Sequence, residues 1–566
     1  MPTIDIDYAE FEKLLGLELR GNVEKINDIL AFVKGEVKLF DETEGIMNVE
    51  IKDTNRPDTW NVEGLARALR GFLGLEKGLR KYSVGKQLAE VHVDPRLADI
   101  RPFIGCSTIE NLRLSDKIVR GLMHMQEKLD QTYGRNRQKT SIGLYNLDLI
   151  KLPLFYGVAK PDAVSFVPLG FAEKMSLKEI LVRHPKGLEY GHIVSKHPVY
   201  PILLDAENKP LSFPPVINSN DLGKITEETR NVLVEVTGTV HETVLNTLKI
   251  VTLSLIDRGG KVYSAKIHYP RKVDVVTPSF ETSSMDLDVE YANRLLGLKL
   301  TAKQVAELLL KAGYGIEKLD KNKVRVRIPC YRVDVMHQVD LVEDVAIAYD
   351  YNKIKPLWRE MPTAGSVRPE QGLVDVAREL MVGLGFQEVL TYTLTNPENL
   401  FARMNLKKEK IVEISNPKVI TLTCLRNWLL PSLLEFVSNN LHVECPQKLF
   451  ELGKVTLLDE KSETRTRDEY RLAAVTYDAN ASFTGVKSTL DAFLMNLGLQ
   501  WQIKETKHSS FIDGRVGTAI VNGINVGVLG EISPAVLEKW KLENPVAAFE
   551  LDMEKIIKIK RSKLQQ

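Results

Sequence analysis

Four acids crowd one short stretch of this 566-residue chain: Asp334, Asp340, Glu343 and Asp344 all lie within RVDVMHQVDLVEDVAIAYDYN. Like charges three and four residues apart repel on a helix, so the cluster asks for a cause. If a helix opens at Asp340, then Asp340, Glu343 and Asp344 share a face while Leu341, Val342, Val345 and Ile347 can pack. Asp334 ends the preceding strand and can point at the same place. Clustered carboxylate oxygens suit Mg2+, which takes oxygen ligands in preference to nitrogen or sulfur. The competing reading is a solvated acidic first turn favoured by the helix dipole. A second set of candidate groups surrounds NVLVEVTGT. Its alternation predicts a strand over 231–239, with Val232, Val234 and Val236 on one side and Leu233, Glu235 and Thr237 on the other. Ser212 and Asn218 sit just upstream on proline-flanked segments. Such residues can build a small-molecule pocket with an apolar wall and a few orienting polar groups. The plainer expectation is a sheet with one wet face.

The elements that must position these groups include a divergent repeat. IDIDYAEFEKLLGLEL (Ile4 to Leu19) aligns without gaps to MDLDVEYANRLLGLKL (Met285 to Leu300). Asp5, Asp7, Leu14, Leu15, Gly16, Leu17 and Leu19 recur as Asp286, Asp288, Leu295, Leu296, Gly297, Leu298 and Leu300. Each copy continues through a helical segment and a strand, MNVEIKD in one and KVRVRIP in the other. Matching Arg56 to Arg332 and Leu65 to Leu341 sets Asp58 against Asp334, while Asp340, Glu343 and Asp344 face Gly64, Arg67 and Ala68. The fold therefore does not need those three acids, whereas Asp334 is expected to be structural in both copies, bonding backbone amides at a turn. Between the repeats, RPFIGCSTIENLRL reads as a strand leading into the helix DKIVRGLMHMQEKLDQTYG. A basic loop with Arg135, Arg137 and Lys139 follows; such loops usually face solvent, the alternative being contact with phosphates. From about residue 360 an α+β unit follows, with an amphipathic helix over QGLVDVARELMVGLGF, a helix interrupted at Pro431 and a hairpin turn at Asn522-Gly523. The expected organisation is an α+β multidomain chain divided as 1–88, 89–269, 270–357 and 358–566.

Composition excludes several classes. Lys plus Arg total 76 against 75 for Asp plus Glu, so bulk charge advertises no nucleic-acid partner, and RNA would need a local basic patch. Cys106, Cys330, Cys424 and Cys445 form no CxxC pair, which argues against a zinc module or a disulfide framework. The start MPTIDIDYAE lacks the apolar core of a signal peptide, and no long uncharged run has transmembrane length. A cytoplasmic protein is expected. The last unit holds no glycine-rich phosphate loop, no HExxH and no GxSxG elbow.

Taken in order, NRPDTWNVEGLARAL, PPVINS with TRNVLVEVTGT, YRVDVMHQVDLVEDVAIAYDYNKI, LRNWLLPSLLEF with QKLFELGKV, and DGRVGTAIVNGINVGVLGEISP resemble the β subunit of phenylalanyl-tRNA synthetase in its shorter archaeal and eukaryotic cytosolic form. The resemblance runs nearly end to end. It implies two winged-helix-like α+β modules, a central editing domain, and a last domain that resembles a class II synthetase fold, built on an antiparallel sheet and without catalysis. It implies an α2β2 heterotetramer in which the α subunit binds ATP and phenylalanine and charges tRNA(Phe). It implies Mg2+ at Asp334, Asp340, Glu343 and Asp344, near the contact with the α subunit. It further implies that the central domain hydrolyses tyrosine mischarged on tRNA(Phe), in a pocket of Leu203, Ser212, Asn218, Glu235 and Thr237. Tyr145 stands where relatives often carry histidine, and Arg426 is expected to be structural or interfacial rather than an ATP ligand. Two other classes stand beside this reading. One is a non-editing RNA-binding or assembly protein built from the same modules, against which the intact VEVTGT strand argues. The other is a self-sufficient Mg2+-dependent ligase, which lacks an ATP motif.

Overall fold

The repeated stretches fold through the same series of elements. In the computed structural model, which describes residues 2–270, 273–358 and 363–564, the first copy runs strand Thr3–Asp7, helices Tyr8–Leu15 and Val23–Leu30, strands Gly35–Asp41 and Ile46–Ile51, and helix Val62–Phe72. The second runs strand Ser283–Asp288, helices Val289–Leu296 and Ala302–Lys311, strands Gly315–Leu319 and Lys323–Ile328, and helix Gln338–Tyr349. In both, the third strand lies between the first and second. The recurring residues do the same local work in each. Asp7 and Asp288 cap the first helix by accepting backbone N–H bonds, and Gly16 and Gly297 end it in the left-handed region at φ 78° and 69°.

The modules meet through equivalent ion pairs. Arg56 grips Asp58 with two bonds of 2.9 and 2.8 Å, and Arg332 grips Asp334 with two of 2.9 and 2.7 Å. Arg56 Nε also lies 3.7 Å from Asp334 Oδ1, across the contact between copies. The guanidinium two residues earlier is thus the side-chain partner of each aspartate, where turn amides were expected. Arg332 serves a second carboxylate, donating to Asp344 Oδ2 at 2.8 Å, and the Tyr314 hydroxyl donates to the same oxygen. At the rim, Lys34 of the first module pairs with Glu343 of the second.

Between the modules lies a sheet of ten strands. In spatial order they are Ile217–Asn218, Pro210–Phe213, Tyr200–Leu204, Leu154–Ala159, Gly85–Val93, Lys261–His268, Phe103–Glu110, Val232–Gly238 and Thr140–Asn146, with Val275–Thr277 pairing beside Lys261–His268. Helices Asp116–Gln131 and His241–Asp257 bury apolar residues such as Leu122, Met125, Val244 and Leu248 in the core that holds Val232, Val234 and Val236. The opposite face carries a second core with Ala89, Val91, Leu154, Leu203, Leu233 and Ile267.

The chain divides after Trp358 into a second unit. Its seven-stranded sheet is antiparallel apart from the short strand Gln387–Glu388, which runs parallel to Gln447–Leu458. Pro431 does not interrupt a helix; it occupies the first turn of Leu430–Asn439, where its missing N–H costs nothing. Asn522 and Gly523, at φ 50° and 76°, make the hairpin turn. Arg426 is buried among its own unit's groups, 2.7 Å from both Glu451 and Thr391. Among the described residues no helix is long and apolar enough to cross a membrane.

The arginine layer sets a clear order of costs. Removing one partner of a buried pair leaves a charge stranded. Arg332→Ala, which strands Asp334 and Asp344 together, is expected to destabilise the N-terminal unit by about 3–5 kcal/mol. Glu343→Ala, at a half-exposed pair, is expected to cost less than about 1 kcal/mol. Urea unfolding midpoints of the two variants check this, and equal costs would count against the layer as described.

Candidate functional site

Strand Val232–Gly238 is buried at all seven positions, so no wet face exists there. It pairs with Phe103–Glu110 on one side and Thr140–Asn146 on the other. The alternation predicted from sequence is present, but both faces are covered: the valines pack under the helices, and Leu233 joins the opposite core with Leu203 and Tyr145. Glu235 therefore carries a carboxylate into a place nearly closed to bulk water. Burial pushes it up from its ordinary 4.5 to about 7, against the opposing pull of the Tyr145 hydrogen bond and the Arg101 charge.

The register puts Gly143 opposite Glu235 and Tyr145 opposite Leu233. From there the Tyr145 ring passes over Gly143. A Cβ at that glycine would stand 2.2 Å from the Tyr145 hydroxyl and 2.5 Å from Glu235 Oε2, so only glycine leaves room. The hydroxyl lies 2.8 Å from Glu235 Oε2, 2.9 Å from Ser212 Oγ and 3.5 Å from Asn218 Oδ1. A phenol has one proton to give and lone pairs to accept with. Donating to Glu235 leaves Ser212 free to donate back to the phenol. Tyr145 and Glu235 belong to one end of the sheet order, Ser212 and Asn218 to the other. The sheet thus curls until its ends meet, and the Tyr145 hydroxyl bridges the seam.

A cavity of about 210 Å³ opens at this seam. Leu122, Ile142, Leu144, Phe213 and Ile225 supply apolar wall, and Ser212, Asn218 and Glu235 supply polar groups. Glu235 Oε1 is buried without a hydrogen-bond partner of good geometry, although the Thr237 hydroxyl is near enough to favour the ionised form. Of the five pocket residues expected from sequence, three line this cavity. Thr237 stands behind them, accepting from Arg101 Nε at 3.0 Å with the Ser141 hydroxyl 3.2 Å away. Leu203 packs in the apolar core around the Tyr145 ring.

Arg101 and Asp130, not singled out in the sequence, and Arg137, expected to face solvent, complete the site. Arg101, fully buried, donates to Thr237, Ser141 and the Arg137 carbonyl. Arg135, Asn136 and Arg137 all adopt positive φ, at 48°, 51° and 62°. That costly run turns Arg137 inward rather than to solvent. Its guanidinium donates to the carbonyls of Pro215 and Val216 and lies 4.3 Å over the Tyr190 ring. Asp130, pushed up to about 7 by burial, lies 3.2 Å from it.

A family model described as the tRNA synthetase B5 domain matches residues 285–351, the second module. Another, the phenylalanyl tRNA synthetase beta chain CLM domain, matches residues 355–553. Over 553 residues the chain is 43% identical to the phenylalanine–tRNA ligase beta subunit of Pyrococcus furiosus, covering 97% of this chain and 99% of that protein. The chain belongs to the phenylalanine–tRNA ligase beta-subunit family. The beta subunit of Archaeoglobus fulgidus is 38% identical over 557 residues, with 98% of each chain covered. A crystal structure of an N-terminal fragment of the phenylalanyl-tRNA synthetase beta subunit from Pyrococcus horikoshii superposes with a TM-score of 0.60 at 38% identity, covering 62% of this chain and 99% of that one.

Within this beta-subunit chain the four acids of the second module are divided among separate tasks. Asp334 and Asp344 are held by Arg332. Asp340 accepts the backbone N–H groups of Met336 and His337 at 2.8 Å each, closing a capping box. Glu343 turns outward to Lys34. A guanidinium already neutralises the two buried carboxylates, so the donor set as placed does not fit a Mg2+ ion.

The raised Glu235 fixes a sign. Between 4.5 and about 7 the folded chain holds a proton that the unfolded chain has released, so stability falls as pH rises through that window. Asp130 adds to the fall between 3.8 and about 7. Glu235→Gln carries no charge to desolvate, and its loss of stability from pH 5 to 8 is expected to be smaller than wild type by roughly 1–3 kcal/mol. Chemical denaturation across that range measures it, and an unchanged pH slope would refute the assignment.

Proposed function

We propose that this chain serves as the beta subunit of a phenylalanine–tRNA ligase, acting in the cytoplasm with an α subunit that binds ATP and phenylalanine and charges tRNA(Phe), and that its seam cavity hydrolyses tyrosine wrongly attached to that tRNA. The observation that carries the second part is the buried Glu235 carboxyl, with Ser212 and Asn218 beside it and an apolar wall of Leu122, Ile142 and Ile225, in a cavity that Gln126, Glu127, Arg137 and Lys186 also line. An apolar pocket in a synthetic site rejects a substrate bearing one extra hydroxyl only by about a hundredfold. A second site built to hydrogen-bond that hydroxyl discriminates in the opposite sense, because phenylalanine leaves its polar groups unpaired. Here the tyrosyl ring would lie against Leu122, Ile142 and Ile225, with its hydroxyl at Glu235 and Ser212.

Within this reading Tyr145 is a positioning residue. It ties Glu235 Oε2 and leaves Oε1 for the ligand, and it holds the Ser212 hydroxyl beside it. Thr237 and Arg101 act behind Glu235, by hydrogen bonding and charge respectively. The Ser212 hydroxyl is hydrogen-bonded to Tyr145, and no histidine among the groups named stands ready to take its proton, so attack by water on the ester, placed by the cavity and the bound tRNA, is the step assigned. Mg2+ at Asp334, Asp340, Glu343 and Asp344 is left out of the mechanism, since those carboxylates are committed to Arg332, the helix cap and Lys34.

The test is deacylation of preformed tyrosyl-tRNA(Phe) by the chain reconstituted with its α subunit. Glu235→Ala is expected to slow it about ten- to a hundredfold, the worth of a buried polar contact of roughly 1–3 kcal/mol, with phenylalanine charging unchanged. Tyr145→Phe removes the anchor without emptying the core. It is expected to slow deacylation less and to move the pH dependence upward, because the carboxylate loses a donor that favours its charged form. Wild-type rates in both variants would remove the cavity from editing.

A further inference from the structure

A second constellation lies on the opposite side of the central sheet's chemistry. On strand Gly85–Val93, Ala89 and Val91 point into the core, so Glu90 and His92 share the outer face. On the neighbouring parallel strand Lys261–His268 the same alternation buries Ala265 and Ile267 and turns His268 outward, directly opposite His92. The two imidazoles stack with centroids 4.8 Å apart and planes 11° from parallel, and Phe155 of the next strand stacks on His92. One ligand atom from each of Glu90, His92 and His268 lies within 4.8 Å of the others, and this is the group of that kind found among the described residues.

Two further observations point to a ligand. His268 Nδ1 lies 3.1 Å from Asp274 Oδ1, the carboxylate-to-histidine bond that typically orients a metal-binding imidazole and fixes its tautomer. With Nδ1 bonded to that carboxylate, the lone pair falls on Nε2. That nitrogen is shielded from solvent, has no hydrogen-bond partner, and stands 3.9 Å from Glu90 Oε2. A neutral imidazole acceptor facing a carboxylate is unfavourable, and either a second ring proton or a bound cation between them resolves it.

We propose that Glu90, His92 and His268 form a binding site for a divalent transition-metal ion, Zn2+ foremost, with Asp274 orienting His268. Two nitrogens and one carboxylate oxygen match the preference of Zn2+ over the harder Mg2+, and three protein ligands leave a fourth position for water. Near-parallel rings do not aim their lone pairs at one point, so with His268 held by Asp274 binding requires a turn of the exposed His92 imidazole about χ2, a torsion with broad freedom. The ion would clamp the strand by which the chain enters the central sheet to its last long strand, a link between residues 90 and 268 that no loop supplies.

The experiment is a calorimetric titration of the full-length chain with Zn2+ alone, after treatment with a chelator. Wild type is expected to take up one equivalent more than His268→Ala and than the Glu90→Ala/His92→Ala double variant. Asp274→Asn is expected to keep that equivalent with affinity lowered about ten- to a hundredfold. Because the substituted side chains lie on the outer face, the variants should melt like wild type in chelator. Only wild type and Asp274→Asn should show a rise in Tm that grows with Zn2+ concentration. Equal stoichiometry in wild type and His268→Ala, or a Zn2+-dependent rise in Tm that survives in the double variant, would overturn the site.

Discussion

A carboxylate on a strand covered on both faces is the constraint around which the central region is arranged. Glu235 is almost stripped of water, so its neighbours must either bond it or hold charge near it. Gly143 clears the space, Tyr145 supplies the bond, and Arg101 supplies the charge from behind Thr237. None of these is close to Glu235 in the chain: Gly143 and Tyr145 share the strand Thr140–Asn146, and Arg101 comes from the segment before Phe103–Glu110. The cost of burying one acid is thus spread across the middle domain. The same arrangement leaves that acid protonated in part at neutral pH, so it can either donate to or accept from a hydroxyl.

The sheet's closure is what turns this buried acid into a site. A curled sheet that completed its backbone ladder would be an ordinary barrel with a filled interior. Here the last strand at one end and the short strands at the other are bridged by side chains, and the incomplete ladder leaves a cleft lined by helix and loop. Arg137 secures the loop side of that cleft through backbone carbonyls of the two residues before Ile217. Positive φ at three successive residues is the local strain that this reach requires.

Much of this was legible in the amino-acid sequence because it is local. The repeat, its capping aspartates and the glycines that end its first helices depend on neighbours a few residues away, and so does the alternation of 231–239. Ser212 and Glu235 could be singled out by type. Sequence could not show that the strand's second face is covered, because covering it requires a sheet that curls through nearly two hundred residues. Tyr145 was noted only as an unusual residue, since nothing in IGLYNLD says that its hydroxyl ends beside Ser212. The acids of the second module misled in a different way. Their three- and four-residue spacing is right for a shared helix face, yet one is a cap, one is buried against an arginine and one faces the other module. Spacing fixes direction around a helix but does not reveal what stands opposite.

The matched arginine–aspartate pairs of the two modules have a further consequence. Each module presents a cation and an anion two residues apart, and it meets the same motif on its sister. A self-complementary surface of this kind is what an isologous contact between identical subunits uses, yet here the contact is one-sided: Arg56 reaches Asp334, while Arg332 turns to Asp344. Joining two copies in one chain replaces an encounter that depends on concentration with one set by the length of the intervening polypeptide. The tandem therefore holds two related modules at a high effective concentration, through a contact that is no longer symmetric. The two halves need not match residue for residue, and where the second carries Asp340, Glu343 and Asp344 the first carries Gly64, Arg67 and Ala68.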